Sequence, residues 1–258
     1  MVPGEMAGAQ GFALDNSFAR ETFTVTIVGC GGTGGFVAEG LCRLLPREAT
    51  LALVDHDRVE GRNLRRQNFV REDLGRFKSE ALAQRLARKY GRAAAYSTVP
   101  VAMSKINLPG LVIGCVDNGL ARRDIAELVA GGLFMMLRSG ASPWPTYQVN
   151  WWVDTGNGED YGQIVIGNAF GEIFEGDRCL ALPLPVIQRP ELLHQAPRER
   201  SCADMEEQGP VINQVMASLV VEVVRRLIEG TCPWKQLYLD LKAGTLTPIM
   251  ARPKGGRK

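Results

Sequence analysis

The run from Val25 to Lys78 constrains this chain more than any other. Val25-Thr26-Ile27-Val28 is an apolar strand pattern that breaks into Gly29-Cys30-Gly31-Gly32-Thr33-Gly34-Gly35. Helical periodicity follows from Phe36 to Leu45, and a second apolar strand, Leu51 to Val54, ends on Asp55, 21 residues past Gly34. Strand, glycine turn, helix, strand and acid, in that order, form the nucleotide-binding pattern of a doubly wound sheet. Gly29, Gly31, Gly32 and Gly34 let the backbone approach a phosphate chain. The free N–H groups at the start of the helix favour an anion there. Asp55 is placed to accept hydrogen bonds from a ribose hydroxyl.

That pattern alone does not choose between NAD and ATP; the residues after it do. His56-Asp57-Arg58-Val59-Glu60-Gly61-Arg62-Asn63-Leu64-Arg65-Arg66-Gln67 follows the acid directly, and Gly75-Arg76-Phe77-Lys78 comes next. A nicotinamide enzyme has no chemical need for such a cluster, whereas a triphosphate does. Arg66 can fork onto phosphate oxygens, Lys78 can act as a point charge on them, and Asn63 and Gln67 can fix the geometry. The competing reading is a solvated basic surface. The ligand reading is preferred because these residues follow immediately on a ribose-type acid.

A chain of 258 residues with 45% hydrophobic and 22% charged residues can bury one large α/β core. A net charge of +2 gives no global pull towards nucleic acid or a membrane, and no apolar run approaches the length of a membrane span. Met1 to Asn16 lacks the basic start and apolar centre of a secretory signal, so the cytoplasm is the expected compartment. Cysteines stand at 30, 42, 115, 179, 202 and 232 without any C-x-x-C pair. This argues against a disulfide framework and against a four-thiolate zinc site.

After a small, polar arm over residues 1–20, strand and helix patterns alternate. A helix is predicted from Lys78 to Tyr90, closed by Gly91, and then a strand over Tyr96–Val101. Leu111–Val116 reads as a buried strand that delivers Asp117-Asn118. Leu120–Val129 reads as a helix stopped by Gly131-Gly132, and Leu133–Arg138 as a short apolar run. Tyr147–Val153 and Gly162–Ile166 predict two antiparallel strands joined by the polar turn Asp154–Asp160. Residues 168–208 read as a long crossover loop, Val211–Ile228 as a helix, Trp234–Leu241 as a closing strand and 251–258 as a basic, disordered tail. The expected fold class is α/β: a doubly wound, mostly parallel, Rossmann-like sheet with an antiparallel C-terminal extension, in one domain over 21–250.

With these residues placed, the chain resembles the ThiF/MoeB/HesA group of ubiquitin-activating-enzyme-like adenylyltransferases, over roughly Thr24 to Leu241. The resemblance rests on Gly29-x-Gly31-Gly32-x-Gly34, Asp55-x-Asp57, Asn63-x-x-Arg66-Gln67, Lys78, and Asp117-Asn118 followed by Arg122. Ser201-Cys202-Ala203 ahead of Gly209-Pro210 adds to it. Within the group the chain looks most like the ThiF-type member of the plasmid-associated PRTRC system. The resemblance implies that ATP and the C-terminal carboxylate of a small ubiquitin-like or sulfur-carrier β-grasp protein, ending in Gly-Gly, give an acyl-adenylate and pyrophosphate. It further implies that Asp55 holds the ribose, that Asn63, Arg66 and Lys78 contact the phosphates, and that Asp117 binds Mg²⁺. In some members a cysteine at the place of Cys202 takes up the acyl group, and members form homodimers. Arg66, Lys78, Asp117 and Cys202 are thus the catalytic candidates. The four glycines, Asp55, Asp57, Asn63, Gln67 and Asn118 join Arg66 and Lys78 as the binding candidates.

Plainer alternatives stand beside these roles. Asp117 can cap the helix near Leu120, Asn118 can orient the turn, Arg122 can be a surface helix residue and His56 a local polar contact. Cys202 can be a semi-buried structural thiol. Two departures from the group matter. Many members hold zinc on paired C-x-x-C motifs, and here only Cys179 falls near such a position, so zinc is not expected. Many carry an N-terminal arginine that reaches the ATP of the neighbouring subunit; Arg20 lies only nine residues before Gly29, too close for that role, which weakens the implied homodimer. Two other functions compete. A nicotinamide-dependent oxidoreductase explains Gly29 to Asp55 but leaves Asn63 to Lys78 idle. A degenerate member that binds nucleotide or partner without catalysis would not need Arg66, Lys78 and Asp117 together.

Overall fold

The computed structural model describes residues 23–104, 110–138, 150–175, 178–194 and 210–251. The N-terminal arm with Arg20, the segment holding Cys202 and the tail from residue 252 lie outside the described residues.

Five strands run parallel: β1 (Thr24–Val28), β2 (Thr50–Val54), β3 (Ala94–Ser97), β4 (Leu111–Gly114) and β5 (Trp151–Asn157). The central strands β1, β2 and β4 are near-continuous apolar runs because both their faces are covered, as parallel sheets require, whereas β3 at the edge is half exposed. Val25, Ile27, Leu51, Leu53 and Ile113 point to one face, where they pack on α1 (Gly32–Leu44), α2 (Lys78–Tyr90) and α5 (Pro210–Ile228). Val28, Val54, Val112 and Trp152 point to the other, where Ile125 and Val129 of α3 (Gly119–Arg138) cover them. Helices on both faces make the sheet doubly wound. The chain winds outwards from β1 to β2 and β3, then returns to place β4 on the other side of β1. That reversal opens a crevice beyond the carboxyl ends of β1 and β4, where ligands of such sheets bind.

Beyond β5 the sheet becomes antiparallel, through β6 (Tyr161–Gly167), and is completed by two later strands, β9 (Trp234–Asp240) and β10 (Thr245–Met250), in the order β10-β9-β6-β5-β4-β1-β2-β3. The expected architecture is therefore present. A small hairpin, β7 (Ile173–Glu175) with β8 (Arg178–Ala181), and a short helix α4 (Pro185–Gln188) occupy part of the stretch read as a crossover loop.

Several boundaries differ from the sequence reading, each for a physical reason. α1 begins at Gly32 rather than Phe36, because the glycine turn is itself the first helical turn. α2 spans the expected residues and closes on Gly91, whose φ of 62° is the left-handed conformation that glycine adopts freely. α3 runs through Gly131-Gly132 to Arg138; two glycines weaken a helix by about 2 kcal/mol but do not forbid it. β5 extends to Asn157, so Asp154, Thr155 and Asn157 are strand residues and not a turn. β10 escaped notice because Pro248 argues against a strand, and prolines in sheets are confined to edges, which is where β10 lies. Among the described residues no helix is long and apolar enough to cross a membrane.

Candidate functional site

The chain leaves β1 at Gly29, whose φ of 90° is a left-handed conformation, and a β-carbon there would press on the Cys115 carbonyl. Gly34 is equally constrained, since a β-carbon would sit inside contact distance of the Gly29 carbonyl oxygen. These two positions fold the turn tightly enough to start α1 directly at the sheet's rim. The helix has Gly31 as its N-cap and no side-chain cap, so its first N–H groups stay available to an anion.

Asp55, at the end of β2, holds this turn in place. Its Oδ2 accepts the Cys30 N–H at 2.6 Å and its Oδ1 the Asp57 N–H at 2.8 Å. Each carboxylate oxygen has a second lone-pair direction, so the group retains capacity for a hydroxyl. Burial pushes the Asp55 carboxyl up, and the Lys78 ammonium pulls it back down. Lys78 stands at the start of α2, is 6% exposed and pairs with the exposed Asp57 at 2.9 Å. Its neighbour Ser79 donates to the carbonyls of Asp55 and Ser97, each at 2.8 Å, which fixes the start of α2 against the ends of β2 and β3.

Asn63 does its work inside a 3₁₀ turn over Gly61–Arg65. It is 3% exposed, its Oδ1 accepts the Glu60 N–H, and its carbonyl accepts the N–H groups of Arg66 and Gln67. The residue shapes the turn that presents Arg66 and Gln67 to the crevice. Gln67 Oε1 is buried without a partner among the described residues.

At the end of β4, Asn118 rather than Asp117 caps α3, its Oδ1 accepting the Ala121 N–H at 2.8 Å. Asp117 is left exposed, and among the described residues the Asn118 amide donates to it at 3.2 Å. Arg122 is no surface residue: it is 7% exposed. Its Nε lies 3.2 and 3.0 Å from the two carboxylate oxygens of Asp154, and its Nη2 donates to the Val116 carbonyl at 2.7 Å. This clamp ties the β4–α3 loop, and with it Asp117, to β5.

Gly29, Gly31, Gly32, Asp55, Asp57, Arg66, Gln67, Lys78, Asp117 and Asn118 all line one cleft of about 800 Å³. That size suits a nucleotide with room beside it. Its donor set fits a magnesium-bound triphosphate: cations from two segments and an exposed carboxylate line the same cleft as the uncapped start of α1.

The family model of the ThiF family matches residues 13–253. The chain belongs to the ThiF family. No curated protein matches its sequence. Among solved structures, PaaA superposes with a TM-score of 0.60 at 17% identity, over 89% of this chain and 64% of PaaA. E. coli MccB gives 0.60 at 17% identity, over 90% of this chain and 63% of MccB. A structure of E. coli MccB with ATP gives 0.58 at 17%, over 90% and 65%. The chain thus spans less than two thirds of the length of these proteins, and at this identity the likeness is one of fold.

In this ThiF-family chain most of the binding residues read from the sequence converge on the cleft. Gly34 and Asn63 support it from behind, and Cys202 lies outside the described residues. His56 lines the cleft and sits 3.8 Å from Asp57, a local polar contact. Cys179 is buried, its thiol pushed up to about 12 by burial and donating to the Ala181 carbonyl. Sequence reasoning missed two groups. Val99, Pro100 and Leu120 form an apolar slot on the α3 side of the cleft, and Val99 and Leu120 are exposed there. Thr33, Asn157 and Asn213 form a polar cluster at the opposite end. No local motif marks either group.

Proposed function

We propose that this chain activates a carboxylate with ATP, transferring AMP to it and releasing pyrophosphate. The observation that carries the reading is the meeting of Arg66, Lys78 and Asp117, from three separate segments, around one glycine turn and one ribose-type acid. Family membership and the crystal structures of MccB with ATP, and with AMPCPP and MccA, support it. In this reading the base lies in the slot of Val99, Pro100 and Leu120, and Asp55 accepts from the ribose. The phosphates follow the start of α1. Arg66 and Lys78 neutralise the charge that grows on the departing pyrophosphate. Asp117 would hold Mg²⁺, which when bound supplies further charge neutralisation on the phosphate oxygens. No side chain need act as nucleophile, because the substrate's carboxylate attacks the α-phosphorus itself.

The substrate proposed is the C-terminal Gly-Gly carboxylate of a small ubiquitin-like or sulfur-carrier protein, with a PRTRC-type role, a homodimeric assembly and acyl transfer to Cys202 as extensions of the same reading. ATP–pyrophosphate exchange with that partner tests it. Arg66→Ala and Asp117→Ala should each slow exchange by about 100-fold or more. Asp117→Ala should change stability by less than about 0.5 kcal/mol, since the residue is exposed. Wild-type exchange rates in Asp117→Ala would contradict the assignment.

A further inference from the structure

Asn213 stands in the first turn of α5, 1% exposed, and its side chain meets three other segments. It fills the space that Gly32 leaves open: a β-carbon on Gly32 would lie 2.5, 2.6 and 2.7 Å from Nδ2, Cγ and Oδ1 of Asn213. Asn213 Oδ1 accepts from Asn157 Nδ2 at 3.1 Å and from Thr33 Oγ1 at 3.3 Å, while Asn213 Nδ2 donates to the Arg66 carbonyl at 3.3 Å. The single Thr33 proton is shared between the two amide oxygens, with Asn157 Oδ1 the nearer acceptor at 2.9 Å. The amide has only one orientation that serves all of these. Turned over, its oxygen would face the Arg66 carbonyl and its nitrogen the Asn157 amide donor.

We infer that Asn213 is a positioning residue: it holds the peptide of Arg66 against the first turn of α1, so that the phosphate grip depends on how α5 is seated. The inference rests on the reading of this cleft as an ATP site. Arg66 and the uncapped start of α1 lie on different segments, separated in sequence by the rest of α1, β2, the loops on either side of β2 and a 3₁₀ turn. The Asn213 amide links them, wedged between Gly32 and the Arg66 carbonyl, and acts beside Asn68, whose Nδ2 donates to the Gly35 carbonyl at 3.2 Å two residues further on. An arginine fork that is displaced by a fraction of its hydrogen-bond length loses most of its bidentate contact. In this reading the adenosine part of the ligand is held by Asp55 and the apolar slot, not by Asn213.

Calorimetric titration separates a positioning role from a merely structural one, because a general loosening weakens ATP and adenosine alike. Wild-type protein with Mg²⁺ should bind ATP more tightly than adenosine, and the ratio of the two affinities reads the phosphate grip. Asn213→Ala should lower that ratio by about tenfold or more while leaving adenosine binding within about twofold. Ser218→Ala, an exposed change further along α5, should leave the ratio unchanged. If Asn213→Ala melts below the assay temperature, Asn213→Ser carries the same test, since its hydroxyl is too short to span from Thr33 to the Arg66 carbonyl. An unchanged ratio in a folded Asn213 variant overturns the positioning role and leaves the ATP reading standing. A wild-type protein that shows no preference for ATP over adenosine overturns both.

Discussion

Arg122→Met should produce a loss of stability that grows with pH. Asp154 is fully buried, and burial pushes its carboxyl up from 3.8 to about 6, with the Arg122 guanidinium drawing it back down. Each pKa unit corresponds to about 1.4 kcal/mol, so ionising this group costs the folded wild type about 3 kcal/mol relative to the unfolded chain. The sign follows from the direction of the shift. The folded chain holds the Asp154 proton more tightly than the unfolded one, so this group's contribution is most favourable below about pH 4 and declines until about pH 6. Above that it is flat, because Asp154 is ionised in both states. Without Arg122 the carboxyl rises further and the decline continues past pH 6. The neighbouring Cys115 thiol, raised by burial, stays neutral throughout and does not compensate. At about pH 5 both folded proteins carry protonated Asp154, and the variant should be weaker by about 1 kcal/mol, for the lost bond to the Val116 carbonyl. At about pH 8 the deficit should reach about 3–5 kcal/mol, the usual result of stranding one member of a buried ion pair. Urea titrations at the two pH values measure it directly. Equal deficits at both would refute the pairing logic.

Three further outcomes follow from packing and hydrogen bonding. Gly34→Ala should cost about 3 kcal/mol or more in urea titration, because the added methyl meets the Gly29 carbonyl and the turn cannot open without moving α1. Arg92→Ala should cost about 3 kcal/mol, since its buried guanidinium donates to the carbonyls of Ala49, Leu45 and Pro46 at 2.8, 2.6 and 2.7 Å; Arg92→Lys should recover only part of this. Thr26→Val should stabilise the protein by about 1 kcal/mol, because the Thr26 hydroxyl in β1 is fully buried without a partner among the described residues; a drop in melting temperature would contradict this.

The legible parts of this chain are those whose chemistry is local. A glycine turn between an apolar strand and a helix, with an acid after the next strand, needs no distant partner to be recognised. Gly29, Gly31, Gly32 and Asp55 accordingly stand where the sequence puts them. Lys78 was readable for the same reason, as the first residue of an amphipathic helix. What stayed hidden depends on contacts across the fold. Asn157 and Asn213 are 124 and 180 residues removed from Thr33 along the chain, and only the packing of α1 and α5 on the sheet brings the three together. Asp154 and Thr155 look like turn residues because they are polar. They are strand residues because Arg122 neutralises the first and the cleft receives the second. The division of labour between Asp117 and Asn118 was equally out of reach, since either side chain can cap a helix and only the geometry of the loop gives the task to Asn118.

The most direct test of the account is a thermal melt in the presence of ATP with Mg²⁺ and, separately, of NAD. A ligand at about 100 times its Kd stabilises by about 2.7 kcal/mol, which for a chain of this size corresponds to a rise of roughly 5–10 °C. ATP–Mg²⁺ should give that rise in the wild-type protein and lose most of it in Arg66→Ala and Lys78→Ala, while NAD should give none. A rise with NAD and none with ATP–Mg²⁺ would contradict the assignment of Arg66, Lys78 and Asp117 to a triphosphate.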